Sequence, residues 1–474
     1  MKKALIAAGA VAVMLILFAL ALAHRAPEEE IGPATADTPP ATPSSASPSA
    51  PPAPRTAAAP GTAAAKAHQG FLYGRVHTVD GVTYEGRLRW GGDEEGFWGN
   101  YFNGFKADNP WAAEAPPEAL KERRPVELFG VKIAERDSEI ELTRPFMSRF
   151  GDIRLIEAEG RDLRVTLKSG TVFHLDRHRA DDFADGLRVW DGDGGYVDLG
   201  ERRMRSVELL PTPRLGATPQ RLHGTARTPE GDFTGFIQWN RQEGMGFDEL
   251  DGRTADGEAS RRFDTIRSIV RHSDDSSRVT LVDGSEIVLS GSREAGDGNR
   301  GLYVEDPRYG RVLISWDAFE RLDFNPADSG PAYGDFPPGS PLTGTVTTRD
   351  GRRLTGRLVY DLDESETTET LDAPSGGVDY AIHFGLVASI QLPGSKDGGS
   401  GGGGPEDSSP GRATVTLHGG EELRLEPSGD LGAANAGLLV FTAARERPDY
   451  VPWAEVAEIT FDRPEAMYPP PGGS

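Results

Sequence analysis

Between Ser277 and Phe324 the apolar positions fall into five short runs: Arg278-Val279-Thr280-Leu281, Glu286-Ile287-Val288-Leu289, Gly301-Leu302-Tyr303-Val304-Glu305, Arg311-Val312-Leu313-Ile314-Ser315 and Glu320-Arg321-Leu322-Asp323-Phe324. Each is rich in β-branched or aliphatic residues and bounded by Gly, Asp or Pro, the pattern of β-strands and not of helices. In the fourth run Val312 and Ile314 share one face while Arg311 and Ser315 take the other, which predicts a strand with one side in a core. Asp283-Gly284 between the first two runs predicts a tight hairpin, because Gly accepts the positive φ such a turn needs. Asp317-Ala318-Phe319 is too short for an α-helix and predicts one turn of 3₁₀ helix before the closing strand. Five strands in so short a stretch predict a small barrel.

The same unit recurs along the chain. One half-repeat begins at Gly74, Gly224 and Gly344 and runs to Trp90, Trp239 and Tyr360. The other begins Val165-Thr166-Leu167, Val279-Thr280-Leu281 and Val415-Thr416-Leu417, each followed by a Gly-Leu-x-Val at Gly186, Gly301 and Gly437. The expectation is therefore an all-β protein of about six small β-barrel-like half-repeats in three modules, at 71–211, 221–326 and 341–465, with a six-bladed β-propeller as the alternative. Pro326, Pro331, Pro337 and Pro338 predict an exposed joint between the second and third modules. A Gly-rich insertion at 394–411 and the tail 466–474 read as disordered.

The pattern Gly74-Arg75-Val76-His77-Thr78-Val79-Asp80-Gly81, followed by Gly86-Arg87-Leu88-Arg89-Trp90, resembles the first half of the Sm-like small β-barrel. The resemblance covers about twenty residues in each half-repeat and implies a shape. RNA-binding members of that family carry a basic, Gly-containing second motif, and neither Arg311 to Phe324 nor Tyr450 to Phe461 contains one.

The N-terminus has a different pattern. Lys2 and Lys3 precede an apolar run from Ala4 to Ala23, which predicts export. Residues 1–23 are read either as a signal peptide cleaved after Ala21-Leu22-Ala23 or as an anchor, since about 20 apolar residues span a bilayer. In both cases the bulk lies in the periplasm, or outside the inner membrane of a bacterial envelope, and touches membrane only through this segment. Residues 24–70, rich in Pro, Ala, Ser and Thr, read as a disordered tether.

Composition narrows the function. The chain has no cysteine, which removes disulfides, thiolate chemistry and cysteine-ligated metals. A formal charge of −23 opposes nucleic-acid binding. No nucleophile elbow, phosphate-binding Gly loop or His-Glu-x-x-His is present. Asp248 with Asp251 could be paired for glycosidase-like work, but 74 acidic residues make chance pairs common. His174 and His178 would share one side of a strand, yet Arg177 and Arg179 beside them disfavour a cation, and the loop Asp191-Gly192-Asp193 reads as a turn; no metal or cofactor is expected.

One feature departs from the repeat. Phe97, Trp98, Tyr101, Phe102, Phe105 and Trp111 crowd into fifteen residues of the first module, opening an insertion at about 98–145 with a predicted helix near Pro117 to Arg124. Such a cluster either packs the insertion onto the module or forms a contact surface, for which Trp98, Tyr101, Phe102, Phe105 and Trp111 are the candidate binding residues. The function expected is binding or scaffolding of another envelope protein, with a glycan as the alternative ligand and a hydrolase as the alternative class.

Overall fold

A computed structural model describes residues 68–117, the backbone of 121–128 and 131–139, and residues 144–192, 195–215, 219–327, 329–394 and 411–465. The export segment, its tether, the Gly-rich insertion beyond residue 394 and the tail lie outside the described residues. The described chain is all-β, with antiparallel sheets and one short helix, Asp181–Asp185. No described helix is long and apolar enough to cross a membrane.

The three modules repeat one topology. Each begins with a first hairpin, Tyr73–Thr78 with Thr83–Trp90, His223–Thr228 with Gly231–Gln238, and Thr343–Thr348 with Arg353–Val359. A crossing hairpin follows, Tyr101–Phe105 with Pro145–Arg149, Glu249–Thr254 with Gly257–Arg262, and Thr370–Ser375 with Val378–His383. Next come a three-stranded meander, a third hairpin and a closing strand, Met204–Leu209, Arg321–Phe324 or Val456–Phe461. Within every main sheet the order is third hairpin, first hairpin, closing strand, meander.

That order corrects the expectation of small closed barrels. The strands between Ser276 and Phe324 form close to the predicted positions, but among the described residues no sheet closes on itself. Leu302–Asp306 pairs with Gly231–Gln238 of the preceding half-repeat, and the closing strand pairs with the first strand of its module through Val76↔Val207, Ala226↔Leu322 and Val346↔Ile459. Two half-repeats thus share one open sheet, because the apolar face of each hairpin is too small to bury itself alone. The main sheets do not divide into six four-stranded blades either. Before the closing strand the chain makes a single hydrogen-bonded turn that mixes 3₁₀-type bonds, Ala318 N to Ser315 O at 3.2 Å and Phe319 N to Trp316 O at 3.3 Å, with a longer-range one, Phe319 N to Ser315 O at 3.0 Å. In the insertion, the helix expected near Pro117 to Arg124 is replaced by a strand, Lys121–Leu128, paired with Val131–Glu139.

The modules are welded together. The crossing hairpin of the third module leaves its own sheet and pairs with Gly310–Ile314 of the second, through Val312↔Tyr380 and Ile314↔Val378, making a twelve-stranded sheet. Phe233, Tyr309 and Tyr380 meet edge to face there, and one apolar core runs through both modules. The proline-rich joint after Asn325 is not free: Tyr333 and Phe336 are buried against the first module, with Phe336 seated on Gly151, where any Cβ would lie 1.9 Å from its ring.

Candidate functional site

A four-residue spacing recurs at the end of each first hairpin: Trp90 to Glu94, Trp239 to Glu243 and Tyr360 to Glu364 bridge across a three-residue loop. The first two loop residues have positive φ in all three copies, Gly91-Gly92, Asn240-Arg241 and Asp361-Leu362. The aromatic donates to a carbonyl of an acidic residue: Trp90 Nε1 to Asp182 O at 2.6 Å, Trp239 Nε1 to Glu294 O at 3.0 Å and Tyr360 OH to Asp430 O at 2.7 Å. That residue's carboxylate accepts a backbone N–H of the crossing hairpin, from Asn103, Asp251 or Asp372.

A second acceptor caps the following turn. Asn100 Oδ1 takes the N–H groups of Glu95 and Gly96, Asp248 Oδ2 those of Gly244 and Met245, and Glu369 Oε2 those of Ser365 and Glu366. Part of the chain's acidity is therefore internal, spent on backbone donors that would otherwise go unmatched. Asp248 is such a cap, whereas Asp251 is exposed and enters this network through its backbone N–H and carbonyl.

Each repeated glutamate faces the acid above its aromatic. Glu94, Glu243 and Glu364 each hold an Oε2 that is shut off from solvent and has no hydrogen-bond partner. Burial, and then the charges of Asp93 and Asp182, raise the Glu94 carboxyl well above its ordinary range. Burial and Glu294 push Glu243 up to about 8, and burial with Asp363 and Asp430 lifts Glu364 far up.

The five aromatic candidates divide by depth. Trp98, Tyr101 and Phe102 are interior, at 2%, 1% and 0% exposure. Phe102 packs on Trp90 and Phe150 at ring separations of 5.3 and 6.2 Å, inside the first core. Trp98 lies against Phe336 and under the Arg149 guanidinium. Phe105 and Trp111 are half-buried: Arg179 covers the Phe105 ring at 4.2 Å, and Trp111 packs on Phe441 and Arg357 of the third module. Of the two readings of this cluster, packing and contact surface, the burial of Trp98, Tyr101 and Phe102 fits packing, the segment 98–102 running inward to lie against the other modules.

Tyr101 is the centre of that junction. Its hydroxyl lies 3.2 Å from Glu305 Oε2 of the second module and 3.1 Å from His383 Nε2 of the third, with the two rings stacked. Arg311 donates to Glu305 Oε1 at 2.6 Å and to Gly99 O at 3.1 Å, its guanidinium 4.0 Å above the Tyr101 ring. His383 Nδ1 bonds the Thr368 carbonyl at 2.9 Å, so this nitrogen carries the proton. Burial, Arg149 and Arg311 hold the imidazole well below its usual range and keep it neutral. Nε2 is then an acceptor, and the single Tyr101 proton is divided between it and Glu305.

Sequence reasoning missed Glu305, Arg311 and His383, which read as polar positions of ordinary strands. The repeated glutamates do carry a signal along the chain, the Trp/Tyr-x-x-x-Glu spacing. His174 bonds Asp162 on the surface, and His178 sits in a 3₁₀ turn, Arg177–Arg179, off the strand that carries His174. Among the described residues no group of three or more His, Asp or Glu is placed to hold a metal ion. Neither a scan against known protein families nor searches of the curated proteins and of the solved structures finds a match for this chain.

Proposed function

We propose that this chain is an exported protein of the bacterial envelope that binds or scaffolds another envelope protein. The observation that carries the reading is the junction at Tyr101, where three modules are tied by one buried hydrogen-bond chain and two of them also share a sheet. The groups there best suited to proton transfer, His383 and Glu305, are enclosed and bonded to their neighbours, which favours a structural duty for them. A rigid body built of near-equivalent sheets presents loops and edges in fixed positions, the property a scaffold needs.

The test has two arms. A reporter active only outside the cytoplasm is fused after the C-terminus, and the full chain is cross-linked in intact cells before capture and mass spectrometry. Reporter activity with one dominant envelope protein cross-linked to the same sites in repeat experiments is the expected result. An inactive reporter, or binding on a glycan array with no protein cross-link, overturns it.

A further inference from the structure

Between the first and third modules lies a cavity of about 100 Å³ lined by charge. The third module contributes Asp361, Asp363, Glu364, Glu369, Asp372 and Asp430, and the first contributes Lys106 and Arg144. Asp361, Asp363, Glu369 and Lys106 are each more than nine-tenths buried. Some of this charge is matched internally: Lys106 Nζ lies 2.7 Å from Glu369 and 3.0 Å from Asp363, and Arg144 Nη1 lies 3.3 Å from Asp361.

Two groups are left over, of opposite sign. Glu364 Oε2 is shielded from solvent and has no hydrogen-bond partner, and Asp430 beside it accepts the Asp372 N–H and forms no ion pair among the described residues, though the charge of Arg144 acts on it. Arg144 Nε and Nη2 are likewise shielded and unpartnered. These two nitrogens form one edge of the guanidinium plane, the edge that receives a carboxylate through two parallel hydrogen bonds. A cation alone would satisfy the acids and leave the fork empty, and an anion alone would do the reverse.

We propose that this cavity binds a small α-amino acid as its zwitterion, the carboxylate on the Arg144 fork and the ammonium on Glu364 and Asp430. The cavity is smaller than the engineered cavity of about 150 Å³ that takes up benzene, and its size suits glycine or alanine better than an amino acid carrying an indole. Lys106 is the internal precedent, an ammonium already held by carboxylates of the same loop. The site does not depend on the scaffolding role, and its failure would leave that role untouched.

The test is isothermal titration calorimetry on the full chain with glycine, alanine and tryptophan, and with ethylamine and acetate as half-ligands. Glycine or alanine should give saturable binding, at least tenfold tighter than ethylamine, acetate or tryptophan. Glu364→Gln and Arg144→Lys should each weaken it at least tenfold while the β-sheet circular dichroism spectrum is retained, the lysine keeping the charge while losing the fork. Should a variant fail to fold, the preference of the native protein for the zwitterion over both half-ligands still decides. No saturable binding of glycine or alanine at millimolar concentration, ethylamine binding as tightly as glycine, or unchanged affinity in both variants would overturn the assignment.

Discussion

At the scale of single residues the interior carries many polar groups, and several of its charges are matched locally. Glu305 and Arg311 neutralise one another, while His383 stays neutral so that a third partner can be met without a further charge. Such an arrangement is costly to disturb, since removing one member strands another away from water. The repeated glutamates lie at the other extreme, with an oxygen that nothing matches. In Glu243 that mismatch becomes a dependence on pH. Its folded carboxyl titrates at about 8 against an ordinary 4.5, so between these values the folded state holds a proton that the unfolded state has released. Stability attributable to it is therefore greatest at low pH and falls as pH rises through that window. Glu243→Gln keeps the shape and removes the titration. The variant should match the parent near pH 4.5 and exceed it near pH 8 by about 1–3 kcal/mol, the cost of an unmatched buried polar group. Denaturant melts at both pH values check this, and a constant difference would refute it.

At the scale of elements, the loop after each first hairpin shows how one geometry is reached from three sequences. Gly91-Gly92 enters the left-handed region without strain, whereas Asn240-Arg241 and Asp361-Leu362 must hold a side chain there. Leu362 is compensated, being fully buried with Ala115, Val359 and Leu439. Arg241 is exposed, at φ 65, with a single distant contact to the Tyr303 ring. Arg241→Gly should therefore raise stability by about 1 kcal/mol, read as a rise in melting temperature. A fall would mean that the Tyr303 contact outweighs the backbone strain. The turns leave a trace along the chain, Gly, Asn or Asp directly after an aromatic, which the hydrophobic pattern alone does not bring out. The partner of each strand leaves none, because period-2 patterning states which face is apolar and is silent on the neighbour.

At the scale of the whole molecule, the joint between the second and third modules looks like a place to cut and is not. The hairpin Thr370–Ser375 and Val378–His383 completes the sheet of the second module, and Val378, Tyr380 and Ile382 are buried in the core that the two modules share. A fragment beginning at Ser340 should expose those side chains and an open strand edge, and should aggregate or melt without cooperativity. A soluble monomeric fragment with a sharp thermal transition would show that the third module folds by itself.

The sequence by itself determined the strands, most of the turns, the three-fold recurrence and the all-β class, because these depend on local periodicity and on where Gly and Asp sit. The inward turn of Trp98, Tyr101 and Phe102 was not legible, since an aromatic cluster has the same local signature on a surface as in a core. Only the tertiary structure decided that the half-repeats share open sheets, that a hairpin of one module completes the sheet of another, and that Tyr101, Glu305, Arg311 and His383 meet. The last of these contacts joins residues 282 positions apart. No spacing along the chain encodes such a meeting; it depends on which apolar faces find cover and which buried donors then need an acceptor.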